Sequence, residues 1–291
     1  MRDDGPSRTA ARVAMRRAAH QLLDVPPVFI DPLALRLLRP DVRETIERDP
    51  AAFERRPWSA RMRAFLAVRS RVAEDALADS VTAGARQYVV LGAGLDTFGL
   101  RNADPTLRVF EVDHPATQAL KRRRLGAAQL TPPATLAFVP VDFERDDLAA
   151  ALARAGFAAG EPAFVSWLGV TPYLERGTVL AALAFIAGIV GDVGGVAFDY
   201  RVPPPRFNLL HRYLLSRFAA RLAAAGEPLR SSFEPADVRR EVERLGLAAV
   251  LDLDAAALTG RYFAGRRDGL KVSGPAHVVV ARRRALAGPA L

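Results

Sequence analysis

The sequence predicts an α/β protein built on a mostly parallel sheet, and three observations predict it. From residue 86 onward short apolar runs alternate with helical patterns, the arrangement that wraps a parallel sheet in helices. The first run, Tyr88 to Leu91, stops at Gly92-Ala93-Gly94, and the second, Leu107 to Val112, stops on Asp113. The last run, His277-Val-Val-Val-Ala281, follows Gly274-Pro275 with no helical pattern between it and the strand before, so the final strand is expected to run antiparallel.

Each element has its own justification. Ala10, Val13, Ala14, Ala18 and Leu22 repeat at helical spacing over 8–23. Asp31-Pro32 is expected to start a second helix, Leu33 to Leu38, that Pro40 ends, and a third is expected from Ser59 to Leu77, carrying Arg69 and Arg71. None of this front section alternates like a strand, so residues 1–84 are expected to form a helical cap and 85–291 the α/β core. Strands are expected at 87–91, 107–112, 135–141, 163–168, 194–200, 247–253 and 276–282, and helices at 96–101, 116–126, 145–155, 177–190 and 235–245. Residues 203–232 interrupt the alternation: Pro203-Pro-Pro205, an amphipathic pattern from Phe207 to Ala224, then Gly226 and Pro228. A connection of that length is expected to act as an inserted lid.

Composition narrows the function. Of the 291 residues, half are apolar and a quarter charged, ordinary for a globular protein with a large core. The net charge is +9, and only Lys121 and Lys271 are lysines. The arginines are dispersed among acids rather than clustered with aromatics, which argues against nucleic acid as partner. There is no cysteine, which removes disulfides, thiolate metal sites and a cysteine nucleophile. No histidine–carboxylate spacing suggests a metal. The most apolar stretch, Val179 to Val190, is shorter than the ~20 residues a membrane span needs. The N-terminus has no apolar signal core, and a cytoplasmic location is expected.

The chemistry concentrates at residues 86–113. Gly92 and Gly94 permit a tight turn and close backbone approach to a ligand. Asp113 lies nineteen residues beyond Gly94 at a strand's end, where such folds grip the hydroxyls of a ribose. A dinucleotide fingerprint wants a third glycine where this chain has Thr97. A carboxylate at Asp96 would repel a pyrophosphate and tolerate a cationic ligand. S-adenosylmethionine, with an ammonium, a sulfonium and no phosphate, fits; a nicotinamide cofactor rests on Gly-x-Gly alone.

The chain resembles the leucine carboxyl methyltransferase family, in its bacterial branch of S-adenosylmethionine-dependent O-methyltransferases. The resemblance runs in order through Ser7-x-Thr9-Ala10, Arg17-Ala18, Asp31-Pro32 and Arg69-x-Arg71. It continues through Gln87 to Thr97, Arg101, Phe110 to Pro115, Lys121, Val141-Asp142-Phe143 and Trp167-x-Gly169-Val-Thr171-x-Tyr173-Leu174. It implies a class I methyltransferase: a Rossmann-like sheet of seven strands with the last reversed, a helical N-terminal cap and an inserted lid. It also implies cofactor contacts from the turn Gly92-Ala93-Gly94 to the methionine part and from Asp113, with His114 beside it, to the ribose. Asp142 and Phe143 would meet the adenine, and Arg69 or Arg71 the cofactor carboxylate. One residue departs: the family carries Trp-Glu-Gly-Val-Thr where this chain has Leu168. A glutamate there would face the ammonium, and its loss removes ~1.5–3 kcal/mol, a roughly ten- to hundredfold drop in affinity, unless Asp96 or a backbone carbonyl compensates.

Few residues could assist transfer. The implied substrate is a small molecule, methylated on a carboxylate or a hydroxyl. Arg201, just past the fifth strand, is a candidate to hold an acceptor carboxylate, and Tyr173 one to orient the acceptor. A hydroxyl acceptor would want a base, for which His114 and His211 are candidates. Leu168 also leaves open a cofactor-binding protein of the same fold that performs no methyl transfer or another reaction.

Overall fold

The computed structural model describes residues 8–54, 58–143, 145–203 and 228–283. The expected helix over Phe207 to Ala224, most of the 203–232 segment and His211 lie outside them.

Three helices precede the sheet: α1 (Arg8–Leu23), α2 (Pro40–Arg48) and α3 (Ser59–Thr82). The α/β part follows as β1 (Gln87–Leu91), α4 (Phe98–Arg101), β2 (Arg108–Asp113), α5 (Pro115–Ala127), β3 (Leu136–Pro140), α6 (Leu148–Arg154) and β4 (Ala163–Trp167). After a 3-10 turn at Thr171–Tyr173 come α7 (Arg176–Ile189), β5 (Gly195–Arg201), α8 (Pro235–Arg244), β6 (Leu247–Leu253), α9 (Ala255–Tyr262) and β7 (Ala276–Arg283).

The strands form one sheet in the order β3-β2-β1-β4-β5-β7-β6. β7 is antiparallel to both neighbours, and β1 to β5 are parallel. The strand order reverses between β1 and β4, the point where open α/β sheets bind ligands outside the carboxyl ends of their strands. The strands are apolar on both sides because helices cover both. Tyr88, Val90, Phe164, Ala197 and Val280 pack on one face with Val68, Val72 and Ala76 of α3. Val89, Leu91, Val165, Trp167 and Phe198 pack on the other with Leu152, Leu183 and Val242 of α6, α7 and α8. Successive residues of one strand thus enter opposite cores, the period of two that a strand imposes.

The structure corrects several expectations. Residues 33–38 form turns rather than a helix, and Pro40 starts α2 instead of ending its predecessor; proline suits a helix's first turn, where no amide hydrogen is needed. α3 runs five residues past Leu77. The helix expected over 96–101 is one turn, and that expected over 145–155 begins at Leu148, capped by Asp147. The last strand is antiparallel as expected, but α9 lies between β6 and β7 where no helix was expected.

Candidate active site

The glycine turn is stitched to β2. The Gly92 and Ala93 amides both donate to the Val112 carbonyl, at 2.9 and 3.1 Å. Asp113 Oδ2 accepts the Gly94 amide at 2.6 Å and its Oδ1 accepts the His114 amide at 2.7 Å. Each oxygen keeps a further lone pair, so the carboxylate can close the turn and still accept ribose hydroxyls. Burial pushes the Asp113 carboxyl up, and the two amides pull it back only in part. Gly92 has φ +67°, and a Cβ there would stand 2.4 Å from Val170 Cγ2. The loop after β4 therefore presses against the glycine turn, and a side chain at 92 would collide with Val170.

Asp96 carries its own cation. Its Oδ2 takes Arg17 Nη1 at 2.8 Å and its Oδ1 takes the Phe98 amide at 2.7 Å, starting α4. Lys121 Nζ reaches the Asp96 carbonyl at 2.5 Å and also pairs with Glu111 Oε2. Burial pushes the Asp96 carboxyl up, but Arg17, Lys121 and Arg101 outweigh it and hold it down to about 2. Asp96 is thus an ionised anchor for α1.

Arg69 and Arg71 separate as their spacing on one helix requires. Arg69 is buried beneath the carboxyl ends of β4 and β5, with Nη1 2.8 Å from Asp199 Oδ2. Arg71 is exposed and pairs with Asp75 at 2.7 Å. The structure thus brings Arg69 toward the site and leaves Arg71 on the surface.

The remaining candidates divide similarly. His114 caps α5 by accepting the Ala116 amide on Nδ1 at 3.2 Å, which suits a structural role at the turn. Asp142 and Phe143 follow β3 on the same edge, and Phe143 is 44% exposed, unusual for a residue of that size and apolarity. Leu168 packs against the α3-side core. Tyr173 lies in the 3-10 turn after β4, half-buried. Arg201 ends β5, half-buried; burial lowers its guanidinium pKa, and no counter-ion neutralises it among the described residues. His211 lies outside them. No group of three or more possible metal ligands occurs among the described residues.

Sequence reasoning missed Asp199, Glu111 and the partner of Arg17. Asp199 accepts Arg69 and also the Gly169 amide at 2.5 Å. Glu111 is fully buried with Lys121. Tyr200, Asp252 and His277 form a further polar cluster on β5, β6 and β7. A cavity between α7 and α8, walled by Leu183, Phe198, Phe233 and Val238, includes no residue of the glycine turn.

The residues fit S-adenosylmethionine: a left-handed glycine turn stitched to β2, a ribose-type carboxylate, an exposed aromatic residue beyond β3 and a buried cation for a carboxylate. Comparison with known proteins agrees. The leucine carboxyl methyltransferase family model matches residues 10–187. The Bacillus subtilis protein named "Putative S-adenosyl-L-methionine-dependent methyltransferase YktD" is 29% identical over 305 residues, covering 98% of this chain and all (100%) of that one. A Mycobacterium tuberculosis protein named as a "Putative S-adenosyl-L-methionine-dependent methyltransferase" is 37% identical over 183 residues, 57% of this chain and 54% of its own length. Among solved structures, a "putative methyltransferase" from Thermobifida fusca shares the fold with a TM-score of 0.59 at 16% identity, covering 97% of this chain and 96% of that one. A duf574 family protein from Streptomyces avermitilis does so with a TM-score of 0.53 at 17% identity, covering 94% and 97%.

Proposed function

The chain belongs to the leucine carboxyl methyltransferase family and is an S-adenosylmethionine-dependent methyltransferase, and on that premise we propose that it methylates an oxygen of a small molecule, a carboxylate in preference to a hydroxyl. When bound, S-adenosylmethionine supplies a methyl group already activated by its sulfonium. The chain's own residues then have to align the acceptor and exclude water. Asp113 would hold the ribose, Asp142 and Phe143 the adenine, and Arg69 the cofactor carboxylate. Tyr173, between the site loop and α7, would orient the acceptor.

The observation that favours a carboxylate is Arg201. It is a half-buried cation at the carboxyl end of β5 without a counter-ion among the described residues. An acceptor carboxylate is ionised at neutral pH and needs no general base. It needs a cation that holds one oxygen and leaves the other open. A hydroxyl would need a base, and His114 already spends Nδ1 on the Ala116 amide.

The chemistry of the product tests this. Methyl-labelled S-adenosylmethionine is offered with a panel of small carboxylic acids and phenols. A methyl ester releases its label as methanol on treatment with alkali, and an ether does not. Alkali-labile label, with KM for the acid raised at least tenfold in Arg201→Ala, supports the reading; alkali-stable label formed only from hydroxyl compounds overturns the acceptor class.

A further inference from the structure

Resting on the reading that the glycine turn receives the cofactor's methionine end, we propose that Asp199 is the carboxylate that binds the ammonium, and that Asp199 and Arg69 form a two-charge clamp for the amino-acid end. Trp167 of β4 is level with Phe198 of β5, so Leu168 and Asp199 are the next residues on adjacent chains, roughly one strand spacing of 4.8 Å apart. Both face α3: Leu168 packs in the α3-side core, and Asp199 bonds Arg69 of that helix. An apolar residue at 168 thus has a buried carboxylate as its lateral neighbour.

The approach to this pair is built for close contact. Gly169 has φ +72°, and a Cβ there would meet the Arg69 guanidinium at 2.8 Å. The next residue, Val170, abuts Gly92 of the glycine turn. Asp199, Arg69, Gly169, Val170 and Gly92 therefore form one continuous wall. Asp199 uses one bond on each oxygen, the Gly169 amide on Oδ1 and Arg69 on Oδ2, and each oxygen has a second lone pair. Arg69 uses Nη1 on Asp199 and has other donors to offer a carboxylate. Side by side, the two charges are complementary to an amino acid's zwitterion, and each neutralises the other before the ligand arrives.

The test compares two ligands by calorimetry. S-adenosylhomocysteine has the amino-acid end, and 5′-methylthioadenosine lacks it; neither donates a methyl group, so no turnover is read. Asp199→Asn should weaken S-adenosylhomocysteine ten- to a hundredfold and change 5′-methylthioadenosine less than twofold. Adding Leu168→Glu to Asp199→Asn should recover at least tenfold. Equal weakening of both ligands, or no weakening of either, overturns the clamp. If Asp199→Asn shows no cooperative melt, Leu168→Glu alone decides: less than threefold tighter S-adenosylhomocysteine supports Asp199 as the existing counter-charge, and more than tenfold overturns it. Equal affinity of the unaltered protein for the two ligands removes the clamp but leaves the nucleoside site standing, whereas binding of neither removes the underlying reading as well.

Discussion

Arg17 on α1 and Asp96 beside the glycine turn are joined at 2.8 Å, so the front of the chain is tied ionically to the loop proposed to receive the cofactor. Arg17 also holds Asp31 at 2.6 Å and Thr97 at 3.2 Å. It is 5% exposed. Ala10, two residues into α1, has its Cβ 3.2 Å from where a Gly94 Cβ would lie. The helical front therefore packs against the glycine turn.

Replacing Arg17 with methionine keeps the bulk and removes the charge. Buried Asp31 and part-buried Asp96 then lose their nearest cation and keep only more distant ones, a change that costs up to roughly 3–5 kcal/mol, the value for breaking a fully buried pair. Urea unfolding should show a lower midpoint with little change in slope. An unchanged midpoint would mean that Arg17 does not hold α1 in place.

Glu111 gives a pH dependence of definite sign. Burial pushes its carboxyl up to about 6, against the pull of Lys121. A carboxyl raised in the folded state binds protons more tightly there than when unfolded. Its stabilisation is complete below about 4.5 and is lost as the pH rises through about 6; at most ~2 kcal/mol is involved. Glu74 and Asp113, both raised by burial, act in the same direction. Asp96 acts oppositely, but its contribution is lost only as the pH falls toward about 2, outside this window. The melting temperature should therefore rise between pH 7 and pH 5, and the rise should shrink in Glu111→Gln. A wild-type profile that falls over this range contradicts the assignment.

Arg69 and Arg71 should behave unequally. Arg69→Ala removes the buried cation of the site and should weaken S-adenosylmethionine binding at least tenfold, the equivalent of one charge-assisted bond. Arg71→Ala removes the exposed pair with Asp75 and a 3.5 Å bond to the Val28 carbonyl and should change binding less than about twofold. Equal effects in calorimetry would reject the placement.

Gly92→Ala tests the close approach. The backbone there is left-handed, and a Cβ meets Val170 Cγ2 at 2.4 Å. Strain and overpacking together should cost ~1–3 kcal/mol and push the loop after β4 away from the turn. Cofactor affinity should fall, and adding Val170→Ala should restore part of it. Full affinity in Gly92→Ala would show that the turn does not need to approach this loop.

How much of this was legible depends on distance along the chain. The strands were, because each is a short apolar run bounded by glycine, proline or an acid, and the glycine turn with Asp113 lies within one such unit. The start of α2 was not: Pro40 can stop one helix or begin another, and Arg39 offers no side-chain cap to distinguish them. α9 was missed although Asp254 caps it by accepting the Ala257 amide at 2.7 Å; three alanines carry little amphipathic pattern. Asp199 was invisible because its partner Arg69 lies 130 residues away, and the pairing of Asp96 with Arg17, 79 residues earlier, was hidden likewise, because an arginine on an amphipathic helix can equally face solvent. Periodicity reports neighbours on one element, not pairs that the fold brings together.

The central claim is that the carboxyl edge from the glycine turn to Asp113 holds S-adenosylmethionine, and titration calorimetry on Asp113→Ala tests it most directly. Removing charge-assisted bonds to the ribose hydroxyls should weaken binding by ~2–3 kcal/mol, roughly thirty- to a hundred-and-fiftyfold, in a protein that still melts cooperatively. Unchanged affinity in a correctly folded Asp113→Ala protein would contradict the account.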